Sequence, residues 1–166
     1  AASGLKLRAQ VPLYTDSKGA ALTEPEGVAF GPASAVAVSD TGAGRIVTFR
    51  MTPEGAQPVA EYKLAEVPYP TRMEFTSKGD LLVLDGKSRR IARVSPAGAF
   101  RGFVELPVSG APAVRSFAVD RQDQIVLADL PGRRAHQLRT LRQHRRQGLA
   151  GAGLRQAQAF GQLMFL

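Results

Sequence analysis

Short apolar runs separated by polar turns recur along residues 25–138. Ala35-Val36-Ala37-Val38-Ser39-Asp40, Leu81-Leu82-Val83-Leu84-Asp85 and Ile125-Val126-Leu127-Ala128-Asp129 are nearly unbroken apolar stretches, each closed by aspartate. Such runs predict strands covered on both faces. A shorter apolar piece precedes each one: Val28-Ala29-Phe30, Met73-Glu74-Phe75 and Phe117-Ala118-Val119. The intervening segments, Gly31-Pro32-Ala33-Ser34, Ser77-Lys78-Gly79-Asp80 and Arg121-Gln122-Asp123-Gln124, carry the residues that favour tight antiparallel turns. Five residues beyond each aspartate stands an arginine, Arg45, Arg90 or Arg134.

The aspartates lie 45 and 44 residues apart, as do the arginines. Each unit reads as four strands. After the first two comes a third, Ile46–Phe49 and Ile91–Val94, then a Pro-x-Gly turn at Pro53-Glu54-Gly55 and Pro96-Ala97-Gly98. The fourth, Val59–Leu64 and Phe103–Leu106, is more polar, as an outer edge strand should be. A repeat of this length built from short strands predicts a β-propeller, one four-stranded sheet per blade. Leu5–Val11 resembles the outer strand of a neighbouring or closing blade, followed by a linker. The expected divisions are therefore residues 1–24 (strand and linker), 25–68, 69–112 and an incomplete 113–138 (blades), and 139–166 (tail).

The pattern Pro-x-Gly-Val-Ala-Phe, then Val-x-Asp with Arg-Ile following after four residues, then Pro-x-Gly, resembles the NHL-repeat β-propellers over about residues 25–138. The resemblance implies an all-β fold, an incomplete propeller of NHL type. Two departures stand out. Gly31-Pro32-Ala33-Ser34 lacks the usual Asp-x-x-Gly, and Ala135-His136-Gln137-Leu138 replaces an apolar third strand in the last unit. Propellers close with roughly four to eight blades. Just under three units are present here, so further blades or a partner chain are expected to complete the ring. Otherwise an apolar sheet face would be left open.

Charge alters the picture less than its total suggests. The net charge is +8, but the fifteen basic and fourteen acidic residues of 1–129 nearly cancel, whereas seven arginines and no acid follow Asp129. The near-neutral repeat region argues against nucleic acid as partner. RNA binding through a basic face, known among NHL propellers, is the weakest of the functional expectations. From Arg139 onward the chain is mostly Arg, Gln, Ala, Gly and Leu, a basic tail expected to be irregular, helical or disordered. Its abrupt composition, starting within a repeat, suggests an out-of-frame or replaced terminus. No cysteine is present, which excludes disulfides and thiolate metal sites. No apolar run approaches the ~20 residues of a membrane span. Ala1-Ala2-Ser3-Gly4 would suit a chain whose leader has been removed, giving a periplasmic or secreted setting as the expectation and a cytoplasmic one as the alternative.

Asp40, Asp85 and Asp129, with Arg45, Arg90 and Arg134, occur in every unit and are read as structural, capping turns or pairing with one another. Lys87, Arg89 and Arg133 vary between units and stand in the same turns, so they are the candidate binding residues. The family resemblance implies that these turns share a rim with the connections between blades, where partners bind. No catalytic constellation, cofactor or metal site can be assigned. Both histidines, His136 and His144, fall at the aberrant end, and Gly148–Gly153 lacks the spacing of a phosphate loop. The expected function is a non-catalytic scaffold for a protein, peptide or carbohydrate. The alternative is part of a gluconolactonase-like or lyase-like propeller enzyme, with metal in a central channel completed by missing blades.

Overall fold

A computed structural model describes residues 13, 15, 18–105, 114–129 and 134–138, and these are nearly all β. β1 (Pro25–Phe30), β2 (Ala35–Asp40), β3 (Arg45–Thr52) and β4 (Gly55–Tyr62) form one antiparallel sheet in sequence order. β5 (Pro70–Phe75), β6 (Leu81–Asp85), β7 (Ile91–Val94) and β8 (Phe100–Phe103) form a second. β9 (Val114–Val119), β10 (Ile125–Asp129) and β11 (Arg134–Leu138) make a third, three-stranded among the described residues.

The sheets are stacked, and the apolar runs hold them together. In β6, Leu81 and Val83 join Ala29, Ala37, Ile46 and Met73 in a core between the first and second sheets. Leu82 and Leu84 point the other way, into a core with Val114, Phe117, Ile125 and Leu127 of the third. Burial on both faces is why this strand has no polar alternation. A third cluster, Val36, Val38, Val47 and Phe49, covers the far face of the first sheet, with Leu13 and Leu22 of the preceding segment against it.

The first strands β1, β5 and β9 lie side by side in succession. Backbone and side chain lock them. The buried Ser39 hydroxyl accepts from Gly27 N at 2.7 Å and donates to the Thr71 carbonyl at 2.7 Å, tying β1, β2 and β5 together. A Cβ at Gly27 would overlap that Thr71 oxygen, so glycine is required for the close approach. Thr41 Oγ1 donates to Pro70 O at 2.6 Å, and Arg72 Nε reaches Phe117 O at 2.8 Å. Between the turns, Asp123, at a left-handed φ of 60°, accepts from Ser77 N and Oγ.

Strand limits differ from those read off the sequence in instructive ways. Ala135-His136-Gln137-Leu138 belongs to a strand despite its polarity, because β11 follows the register of β10 from Asp129↔Arg134 to Ile125↔Leu138. The second outer strand starts at Phe100, directly after the turn in which Gly98 N bonds Ser95 O, rather than at Phe103. The first-unit turn is a 3-10 segment, Pro32–Ser34, with Ala33 and Ser34 both at positive φ. The expected strand Leu5–Val11, residues 106–113 and the tail 139–166 lie outside the described residues.

Candidate functional site

The connections β2–β3, β4–β5 and β6–β7 converge at one rim of the first two sheets. Asp40 closes β2 there and is fully buried. Its Oδ1 accepts from Thr23 N at 2.7 Å and Glu24 N at 3.0 Å, and its Oδ2 accepts from Arg45 Nε at 2.8 Å. Arg45, also buried, reaches Glu61 at 3.2 Å and Ala21 O at 3.0 Å. Burial pushes the Asp40 carboxyl up, but the bonds from Arg45, Glu24 and Thr23 outweigh it, so the group is held below its ordinary range.

Asp85 occupies the same place in the second sheet with different partners. It accepts from Tyr69 N at 3.0 Å and Ser88 N at 2.7 Å. Arg90 stands over the Phe103 ring, its guanidinium carbon 3.5 Å from the centroid. The structure therefore brings Asp40 and Arg45 into contact and sends Arg90 to an aromatic face. Asp129 and Arg134 are opposite one another in the β10–β11 register.

These braced turns frame an open cleft of about 570 Å³ between the first and second sheets. Its floor is the short segment Thr41–Gly44, and its walls include Lys63, Leu64, Pro68, Tyr69 and Lys87. Two ammonium groups are among its lining residues, and the Glu24 carboxylate lies beside Gly42 of the floor. Lys87 Nζ lies 5.4 Å from the Tyr69 ring centroid, a cation–π contact that steers the charge toward the aromatic wall. Gly44 ends the floor segment at φ 63°, and a Cβ there would crowd Pro68 O. Such a cleft suits a ligand that offers negative charge and a flat or apolar surface.

Of the three binding residues expected from sequence, Lys87 lines this cleft. Arg89 does not: it turns at φ 59° with its amide on the Asp85 carbonyl. Arg133 lies outside the described residues. Lys63 and Tyr69 were missed because neither holds a repeated position. The available signal was their place in the connection between units, on the rim already singled out.

The inner strands present a second set of exposed side chains, Glu26 on β1, Arg72 on β5 and Arg115 on β9. Glu74 of β5 is raised in pKa by burial, partly opposed by Arg72 at 3.8 Å. Among the described residues no group of three or more His, Asp or Glu side chains gathers as a metal-binding set. Nor is any described helix long and apolar enough to cross a membrane.

No protein-family model matches the chain, and no curated protein matches it by sequence. Solved structures do. A catalytically inactive virginiamycin B lyase from Staphylococcus aureus, with quinupristin, is 20% identical with a TM-score of 0.55 over 70% of this chain and 38% of its own. A streptogramin B lyase is 20% identical, TM-score 0.55, over 78% of this chain and 40% of its own. The fold is β-propeller-like. A gluconolactonase from Xanthomonas campestris, 22% identical with a TM-score of 0.51, is covered over 36% of its length by 66% of this chain. The chain spans about two-fifths of the proteins it resembles. At these identities the likeness is one of fold.

Proposed function

We propose that the chain is a propeller segment of NHL type, about three blades long, that binds a protein, peptide or carbohydrate at its rim without catalysing a reaction. The cleft between the first two sheets is the binding site on this reading. One observation carries it: Lys63 and Lys87 both line the cleft, and Lys87 stands over the Tyr69 ring. A ligand carrying carboxylates would find two lysines and an aromatic ring among the lining residues. The test is fluorescence anisotropy with a labelled oligoglutamate peptide and a labelled oligogalacturonate as probes. The double variant Lys63→Glu with Lys87→Glu should weaken binding of at least one probe more than tenfold while leaving the melting curve in place. Equal affinity in the variant and the parent chain removes the cleft from consideration.

A second reading is favoured by the neighbours themselves. The lyases and the gluconolactonase are enzymes, and this chain covers under half of each. On that ground the alternative we propose is part of a propeller enzyme whose reacting groups lie elsewhere in the ring. The described inner strands supply Glu26 and Glu74 but no metal-ligating set, so no catalytic step is assigned to them. Stoichiometric uptake of Ca²⁺ or Zn²⁺ by the 166-residue protein would favour this reading over the scaffold.

A further inference from the structure

Among the described residues, apolar side chains stay exposed at each end of the stack, on the inner strand of the first sheet and on β10 of the third, and the repeat shows what covers such positions. Val28 lies opposite Val38 as Met73 lies opposite Val83 and Phe117 opposite Leu127. Phe30 lies opposite Val36 as Phe75 lies opposite Leu81. Met73 and Phe117 are 1% and 2% exposed, each buried against the preceding sheet. Val28 and Phe30 are 58% and 77% exposed. At the other end, Val126 and Ala128 hold the places of Leu82 and Leu84, which are buried against the following sheet. Val126 is 40% exposed, and Ala128 is exposed too.

We infer that these faces are two halves of one interface, completed by a second copy of this chain. The Val126–Ala128 face of one copy packs on the Val28–Phe30 face of the other, repeating the contact that already joins sheet to sheet. This goes beyond the rim-binding reading and does not depend on it.

Three features support the second copy as occupant. Sizes match: Ala118 and Ser116, opposite Val126 and Ala128 in the β9–β10 register, leave a small-residue surface for the protruding Phe30 ring. Charges match: Arg115 precedes Phe117, and Glu26 precedes Val28, by two residues, and both are exposed. Because inner strands of successive sheets lie side by side, continuing the stack sets Arg115 beside Glu26 of the second copy. The arithmetic also closes. Three described sheets per chain give six in two copies, within the roughly four to eight of closed propellers. Two identical contacts then complete a two-fold ring. On the same face Val36, Val38, Val47 and Phe49 are already buried, with Leu13 and Leu22 packed against them, so among the described residues the exposed apolar part is the inner strand, Val28 and Phe30.

Sedimentation equilibrium on the full 166-residue chain tests this. The expected mass is about twice 17.7 kDa. Phe30→Asp and Val126→Asp should each return the monomer mass with an unchanged circular dichroism spectrum, since both side chains are exposed. Mixing the two variants should restore the dimer, because one of its two contacts is then wild type on both sides. Glu26→Arg should raise the dissociation constant at least tenfold, and adding Arg115→Glu should restore it. A monomeric parent chain overturns the proposal. So does a Val126→Asp variant that stays dimeric, which would mean a Phe30-to-Phe30 contact, and so does mass that grows past two copies with concentration.

Discussion

Replacing Asp40 by Asn should cost far more than the same change at Asp85, although the two stand at one repeat position. Asn has nearly the shape of Asp, so packing is preserved and the charge and acceptor pattern are what change. At Asp40 the amide cannot accept from Arg45 Nε and from the Thr23 and Glu24 amides together, and Arg45 is left buried without its nearest anion. Breaking a buried ion pair from one side costs about 3–5 kcal/mol. Glu61 and the Ala21 carbonyl still hold Arg45, which places Asp40→Asn near the low end, about 3 kcal/mol. Asp85 accepts two backbone amides, and Arg90 rests on Phe103, so Asp85→Asn should cost about 1–2 kcal/mol. Urea unfolding followed by circular dichroism reads the difference as a lower midpoint at unchanged slope. The pH dependence provides a second check. The folded pKa of Asp40 lies below its unfolded value of about 3.9. Its stabilisation is therefore present above that value and lost as pH falls through the folded pKa. The gap between parent and Asp40→Asn should narrow below about pH 4. Equal costs at the two aspartates, or a gap that stays constant into acid, would refute this account.

Gly27→Ala should destabilise the protein by about 2–3 kcal/mol, because the new methyl meets the Thr71 carbonyl at the junction of the first two sheets; an unchanged urea midpoint would show that this junction yields. Glu74→Gln should act in the opposite sense. Burial raises the Glu74 pKa, so the charged form is disfavoured in the folded state, and its contribution declines as pH rises from the unfolded value of about 4.3 through the folded one. The variant should melt slightly higher than the parent at pH 7 and lose that advantage near pH 4. A lower melting temperature at pH 7 would mean that the Arg72 contact dominates instead.

The strand pattern was readable because the cores between sheets demand it. Leu81 and Val83 serve one neighbour and Leu82 and Leu84 the other, so continuous apolarity in a five-residue run carries the information that sheets lie on both sides. The 44- and 45-residue spacing then supplies the stacking order. Less legible was the extent of each outer strand, which depends on where the partner strand runs out. Register also made a strand of Arg134–Leu138, whose polar letters alone argue against one. Gly27 is a further case: as a letter it reads as a turn residue, yet its reason is a carbonyl 44 residues further along the chain.

The site was less legible than the fold because its chemistry lies in cross-strand partners. Arg45 and Arg90 occupy one repeat position, and no periodicity distinguishes them. Their adjoining strands do. β4 sets Glu61 opposite Val47, and β8 sets Phe103 opposite Ala92, two residues beyond the respective arginines. An acid at that place makes the arginine part of a buried ion-pair network, whereas an aromatic ring there draws it over its face. Asp85 is thus left to the amides of Tyr69 and Ser88. Holding the Tyr69 amide fixes the connection whose ring walls the cleft beside Lys87. A single exchange of acid for aromatic in the outer strand therefore accompanies the change from a turn braced by arginine to one that anchors the aromatic wall of the cleft.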